Sequence, residues 1–152
     1  MSSKAKQTQK LLLFRLSGER LFGIGTLKIR EILPFMRLTK LPHSHHAVIG
    51  TATFRGSAVP VIDMAAAVGY PPLGREEQEK ASIIITDIQR HEIGFLVRSV
   101  QQINETDWKQ VMPPPKALGN KAFITGLLDV DGDIIQLLDV ELLLAKVYPE
   151  SL

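Results

Sequence analysis

The chain repeats itself, and that repetition limits its fold more than any other feature. Gly50-Thr-Ala-Thr-Phe-Arg-Gly-Ser-Ala-Val-Pro-Val-Ile-Asp63 reads as a strand, a tight turn at Arg55-Gly56 and a second strand. Asp63 then opens a short helix by capping its first turn, and Gly69 and Pro71 close it. The segment starting at Gly126 repeats the unit at a constant offset of 76 residues, carrying Gly50 to Gly126, Gly56 to Gly132 and Asp63 to Asp139. Apolar matches alone weigh little in a chain that is 45% hydrophobic. Two glycines and an Asp cap in gapless register weigh more, so the chain reads as a duplication.

A fainter echo precedes each unit. Leu12-Leu13-Phe14 and Gly23 match Ile83-Ile84-Ile85 and Gly94 at an offset of 71 residues, and Ile29 and Ile32 match Val100 and Ile103. The halves are therefore expected at 11–69 and 82–148, joined by a polar linker over 70–81 and preceded by a disordered basic tail, 1–10. Leu11 to Leu16 and Leu21 to Ile24 pair across Ser17-Gly18-Glu19-Arg20. Leu27 to Ile32 fits one helical turn or a half-buried strand, and so short a period leaves both open. The proline-marked connections 38–46 and 105–115 are each expected to hold a short helical turn, with Pro113-Pro114-Pro115 as an extended surface spacer. About ten short strands, with helices only after Asp63 and Asp139, give an all-β chain of two small barrels.

The formal charge of +2 conceals where the charges lie. Lys4, Lys6 and Lys10 sit in the tail; the 18 basic residues less these three leave 15 against 16 acidic ones, a net of −1. A body of that charge lacks the basic face a nucleic-acid binder needs, and 6% aromatics are few for base stacking. A small-barrel module binding single-stranded nucleic acid is the alternative reading, and no nucleic-acid partner is expected. No apolar run approaches the roughly 20 residues of a membrane helix, so direct membrane insertion is not expected. The absence of cysteine excludes disulfides and thiolate metal sites and fits a reducing cytoplasm.

Catalytic signatures are missing. No Gly-x-Ser-x-Gly or P-loop occurs, and Gly23-Ile-Gly25 is followed by Lys28 where a dinucleotide loop needs glycine. Asp129-x-Asp131-x-Asp133 opens like a calcium loop, but Ile134 stands where the sharp turn needs glycine and Val140 where a chelating Glu belongs. Asp131-Gly132 is better read as a hairpin turn. His43, His45 and His46 cluster without a third-ligand spacing or a water-activating acid, so they read as polar loop residues and no metal or cofactor is expected. Trp108, the lone tryptophan, is expected to pack beneath the proline loop. Arg55 stands out because its repeat counterpart is Asp131, a residue a turn before glycine prefers. Arginine has no such preference; its planar guanidinium suits carboxylate recognition, and Glu31 is the nearest plausible partner.

The order of these segments carries a resemblance. Leu11-Leu-Leu-Phe-Arg-Leu-x-Gly-Glu-x-Leu-Phe-Gly-Ile24, Lys28-Ile-Arg-Glu-Ile32, Leu41-Pro42, Arg55-Gly-x-x-x-Pro-Val-Ile-Asp63 and Gly94-Phe-Leu-Val97 resemble the CheW-like coupling domain of bacterial chemotaxis. Gly94 to Val100, Trp108, Pro113-Pro-Pro-Lys116 and Ile134 to Glu141 look most like the CheW-like domain that opens CheV proteins. CheV proteins continue into a receiver domain, which leaves a stand-alone adaptor and the front domain of a longer protein as two readings. The resemblance implies two five-stranded SH3-like barrels packed side by side, and a non-catalytic adaptor coupling chemoreceptors to the histidine kinase CheA. The implied partners are the kinase's regulatory domain and the receptor's cytoplasmic helical tip, met in the cytoplasm at membrane-associated arrays. Carried onto this chain, it points to Ile29, Glu31 and Arg55, with Gly56 in the same turn, as the partner-facing surface.

Overall fold

The computed structural model describes residues 8–42, 45–116 and 121–147. Strands β1 (Thr8–Arg15) and β2 (Leu21–Gly25) form a hairpin, and a 3-10 turn over Thr26–Lys28 leads into β3 (Ile29–Pro34). A second hairpin, β4 (Val48–Phe54) and β5 (Ser57–Asp63), is followed by helix α1 (Met64–Val68). Helix α2 (Arg75–Glu79) then precedes β6 (Ser82–Ile88), β7 (His91–Val97) and β8 (Ser99–Asp107). A 3-10 turn over Trp108–Gln110, strands β9 (Ile124–Val130) and β10 (Asp133–Leu138) and helix α3 (Val140–Val147) complete the described chain.

The strands form two five-stranded sheets, ordered β8-β1-β2-β10-β9 and β3-β6-β7-β5-β4. Each is one small barrel, and the two orders interconvert when every strand is replaced by its repeat counterpart. Neither barrel is built from one half. The β1–β2 hairpin sits among β8, β9 and β10, while β6–β7 sits among β3, β4 and β5. The halves exchange their first hairpins, a point the sequence leaves open. Each exchanged hairpin has two seams, an antiparallel one at β1–β8 or β3–β6 and a parallel one, with Leu137 opposite Gly23 in one barrel and Val61 opposite Gly94 in the other.

This placement explains the unbroken apolar runs. Leu11, Leu12, Leu13 and Phe14 are all buried, which alternation about a half-exposed strand would not allow. Leu11 and Leu13 point into the first barrel with Leu128, Ile135 and Leu137. Leu12 and Phe14 join the larger core with Phe22, Ile24 and residues of both helices α1 and α3. One strand thus closes a barrel and cements the two together.

The repeated glycines mark close approaches. The segment before each second hairpin lies across it, with bridges at Thr39–Thr51 and Met112–Leu127. A Cβ at Gly50 would stand 2.6 Å from the Thr39 carbonyl oxygen, and one at Gly126 would stand 2.5 Å from Val111 Cγ1. The buried Asp63 ties the end of the first half to the connection that follows. Its Oδ1 accepts the Ala66 N–H at 3.3 Å and its Oδ2 the Leu73 N–H at 3.0 Å. Burial pushes its carboxyl above the ordinary value of 3.8, against the pull of those hydrogen bonds.

Several expectations are corrected. Strand β1 begins at Thr8, where Thr8 pairs with Asp107, so residues 8–10 belong to the sheet and not to a tail. Residues 1–7 lie outside the described residues. The 70–81 stretch carries α2, whose Glu77 side chain accepts the Gly74 N–H, so helices are not confined to the capping aspartates. Gly23 faces Leu13 but Gly94 faces Ile85, so β1 and β6 correspond at an offset of 72 and not 71. The extra residue sits in the first hairpin's loop. Residues 27–32 prove to be both candidates in succession, a 3-10 turn and then a strand.

Two outcomes are expected. Gly50→Ala pushes a methyl into backbone and should cost roughly 2–4 kcal/mol, more than Gly126→Ala, whose first obstacle is a side chain, as urea midpoints would show. Because the native state keeps the Asp63 proton where the unfolded chain has lost it, stability should fall as pH rises from about 4 through the raised native value. Asp63→Asn should lose that part of the slope while costing about 1–3 kcal/mol for the Leu73 bond, measured by urea melts across pH.

Candidate functional site

The exchange forces the chain to pass from the first barrel to the second between β2 and β3, and it does so in three residues. The Thr26–Lys28 turn has no side-chain cap and buries none of its residues. Leu27 at its centre is 92% exposed. A leucine left in water at the centre of such a connection offers apolar area that a partner can cover. Beside it opens a cleft of about 210 Å³ lined by Gln9, Leu11, Trp108, Leu137 and Val140 among others. Lys28 forms an ion pair with Glu141, in the first turn of α3.

Strand β3 then carries three further candidates. Ile29 is half-buried, packs on the larger core and pairs with Thr86. Arg30 sits in a bulge between Ile29 and Glu31, and its Nη2 donates to Asp87 Oδ2 at 2.8 Å. That hydrogen bond and charge hold the Arg30 guanidinium above its ordinary range and the Asp87 carboxyl below its own. Glu31 Oε1 accepts from Arg55 Nη2 at 3.0 Å, so the pairing suggested by the sequence is present.

Arg55 and Gly56 form the β4–β5 turn with φ of 49° and 80°, and Asp131 and Gly132 form its twin with 52° and 90°. Both central residues at positive φ give the type I′ hairpin whose twist matches the strands. Asp suits that region, and Asp129 Oδ1 also accepts the Gly132 N–H at 2.9 Å. Arginine pays about 1 kcal/mol to be there. Its compensation is the Glu31 pair and the face of Phe54, whose ring centroid lies 4.9 Å from the guanidinium carbon.

Glu31, Arg55 and Gly56 are thus brought together, while Ile29 stands on the core side of the same strand. Trp108 is corrected: it is 50% exposed on its 3-10 turn at the cleft. Leu27 was missed, although the offset of 71 sets it opposite Arg98, an apolar residue where its twin is charged. His43 lies outside the described residues, and among those described no three His, Asp or Glu side chains are grouped to hold a metal. His45 Nδ1 accepts the Ala47 N–H at 3.1 Å, and its ring lies tilted by 31° against that of His46, with centroids 4.3 Å apart. Desolvation, then the neighbouring His46 and Lys146, pulls the His45 pKa down.

Two barrels laced by exchanged hairpins, with an exposed apolar turn and a charge-paired turn, define a protein-docking module. The chain belongs to the CheW-like domain family, whose profile matches residues 10–147. It is 34% identical over 130 residues to the chemotaxis protein CheV3 of Helicobacter pylori, covering 83% of this chain and 42% of that protein. It is 28% identical over 145 residues to a probable chemotaxis protein CheW of Rhizobium etli, covering 94% and 92% of the two chains. Among solved structures, the scaffolding protein TtCheW of Thermoanaerobacter tengcongensis superposes with a TM-score of 0.81 at 26% identity, covering 90% of this chain and 92% of that one. The chain is accordingly a non-catalytic coupling module of chemotaxis that interacts with chemotaxis signalling components.

Reversing Arg55 tests its turn. Arg55→Asp relieves the arginine's turn cost but loses the Glu31 pair and the Phe54 contact and sets two carboxylates together. It should therefore lower stability by roughly 0.5 kcal/mol, with Glu31→Lys in the same chain restoring most of it. Thermal melts of the two single variants and the double variant check this. An Arg55→Asp chain as stable as the parent would show that Asp's turn preference offsets the pair in full.

Proposed function

We propose that this module links the regulatory domain of the histidine kinase CheA to the cytoplasmic helical tip of a methyl-accepting chemoreceptor. The observation that carries this reading is Leu27, 92% exposed at the lip of a cleft that can accept an apolar side chain. A helix docking in a groove is read through spaced apolar anchors, and a receptor tip is such a helix. On this reading Leu27 meets the receptor together with the solvent-facing part of the half-buried Ile29. Glu31, Arg55 and Gly56 face the scaffold, where an exposed charge pair sets orientation and on-rate more than affinity. The module would work in the cytoplasm at membrane-associated receptor arrays. No helix among the described residues is long and apolar enough to cross a membrane.

Calorimetric titration with a receptor-tip fragment and with the kinase regulatory domain tests the proposal. Both should bind the parent chain. Leu27→Asp should weaken the receptor fragment about tenfold or more, since burying a leucine is worth roughly 1.5–3 kcal/mol, with the melting temperature unchanged. Equal affinity of Leu27→Asp and parent would remove Leu27 from the site, and no heat with either partner would overturn the assignment.

A further inference from the structure

The Lys28–Glu141 ion pair joins two elements that both border the cleft, the Thr26–Lys28 turn and the first turn of α3. The pair is exposed, at 43% and 37% of the two side chains, and such pairs add little to global stability. Its chain neighbours are unusual. Leu27 precedes Lys28 and is 92% exposed; Leu142 follows Glu141 and is 47% exposed. Two solvent-facing leucines thus flank the two ends of one ionic contact. Trp108 and Val140 line the cleft alongside.

The duplication supplies an internal control. At the offset of 76, Glu141 and Leu142 correspond to Ala65 and Ala66, both buried in α1. At the offset of 71, Leu27 and Lys28 correspond to Arg98 and Ser99. Arg98 is held by the Gly18 carbonyl at 3.3 Å and Glu77 at 3.8 Å, so the second half's connection is anchored without an exposed leucine. The ion pair and the exposed leucines occur together in one place and are replaced together in the other. Asp139 fixes the α3 end of the contact, its Oδ1 accepting the Glu141 and Leu142 N–H groups at 2.9 and 3.1 Å. No side-chain cap fixes the turn.

We infer that Lys28–Glu141 is a positioning strut: it pins the Leu27 turn to the rigid start of α3 and so sets the spacing of Leu27 and Leu142 as two anchors for an amphipathic helix. This rests on the docking role proposed for Leu27. Pre-ordering an anchor raises affinity by removing an entropy cost of binding, without adding a contact.

The test uses the full chain in four forms: parent, Lys28→Glu, Glu141→Gln, and Lys28→Glu combined with Glu141→Lys. Backbone 15N relaxation of the free proteins reads the order parameter of the Leu27 amide, and titration with the receptor-tip fragment reads affinity. Each single variant should loosen Leu27 while leaving β1–β2 amides unchanged, and should weaken binding about fivefold, a factor within the worth of one exposed pair. The charge-swapped double variant should restore both. Leu27 order parameters equal to the parent's in both single variants would overturn the strut, whatever the binding. If the parent fails to bind the fragment while Leu27 loosens in the single variants, the strut stands and the receptor reading falls.

Discussion

Everything in this structure depends on the exchange of first hairpins between the two halves. Hydrogen bonds along a strand must be satisfied by some neighbour, and here β2 finds β10 and β7 finds β5, each from the other half. Neither half closes a barrel by itself. A side-by-side pair of self-contained barrels would need a separate interface to hold them together. In this fold the same backbone pairing that closes each barrel also joins them, and Leu12 and Phe14 bury the seam from the far side of β1.

On that symmetric frame the two barrels differ where structure does not require sameness. The strand registers coincide, down to the bulges after Val48 and before Leu138. The turns do not: Asp131 follows the preference of a positive φ, whereas Arg55 occupies the same conformation and leans on Glu31 and Phe54. The connections differ likewise, with Leu27 projecting into solvent where its twin Arg98 is tied down. A duplicated fold separates roles in this way: what both copies keep is architecture, and what one copy alone carries points to a partner.

Much of this was legible in the sequence, for identifiable reasons. Gly50, Gly56 and Asp63 each answer a backbone demand that few residues meet, so their repetition reported hairpin, turn and helix cap in register. Glu31 could be named as the partner of Arg55 because the turn lacked a local reason for arginine. The exchange was not legible, since alternation says which face of a strand is buried but not which strand lies beside it. Nor was the exposure of Trp108, because a lone aromatic in a proline-rich connection reads the same buried or free. The one-residue slip between β1 and β6 escaped because Leu12-Leu13-Phe14 and Ile83-Ile84-Ile85 are uniformly apolar and hold no marker of register. Helix α2 was missed because a polar stretch such as Arg75-Glu-Glu-Gln-Glu79 has no apolar face to betray it.

The claim that the turn beside β3 is where a receptor helix docks can be tested most directly by amide chemical-shift mapping. On titrating a receptor-tip fragment into the 15N-labelled chain, the account requires the largest shifts at residues 26–29, at Trp108 and at 140–142. Shifts confined to the β6–β7 and β9–β10 turns, with Leu27 unmoved at saturation, would contradict it.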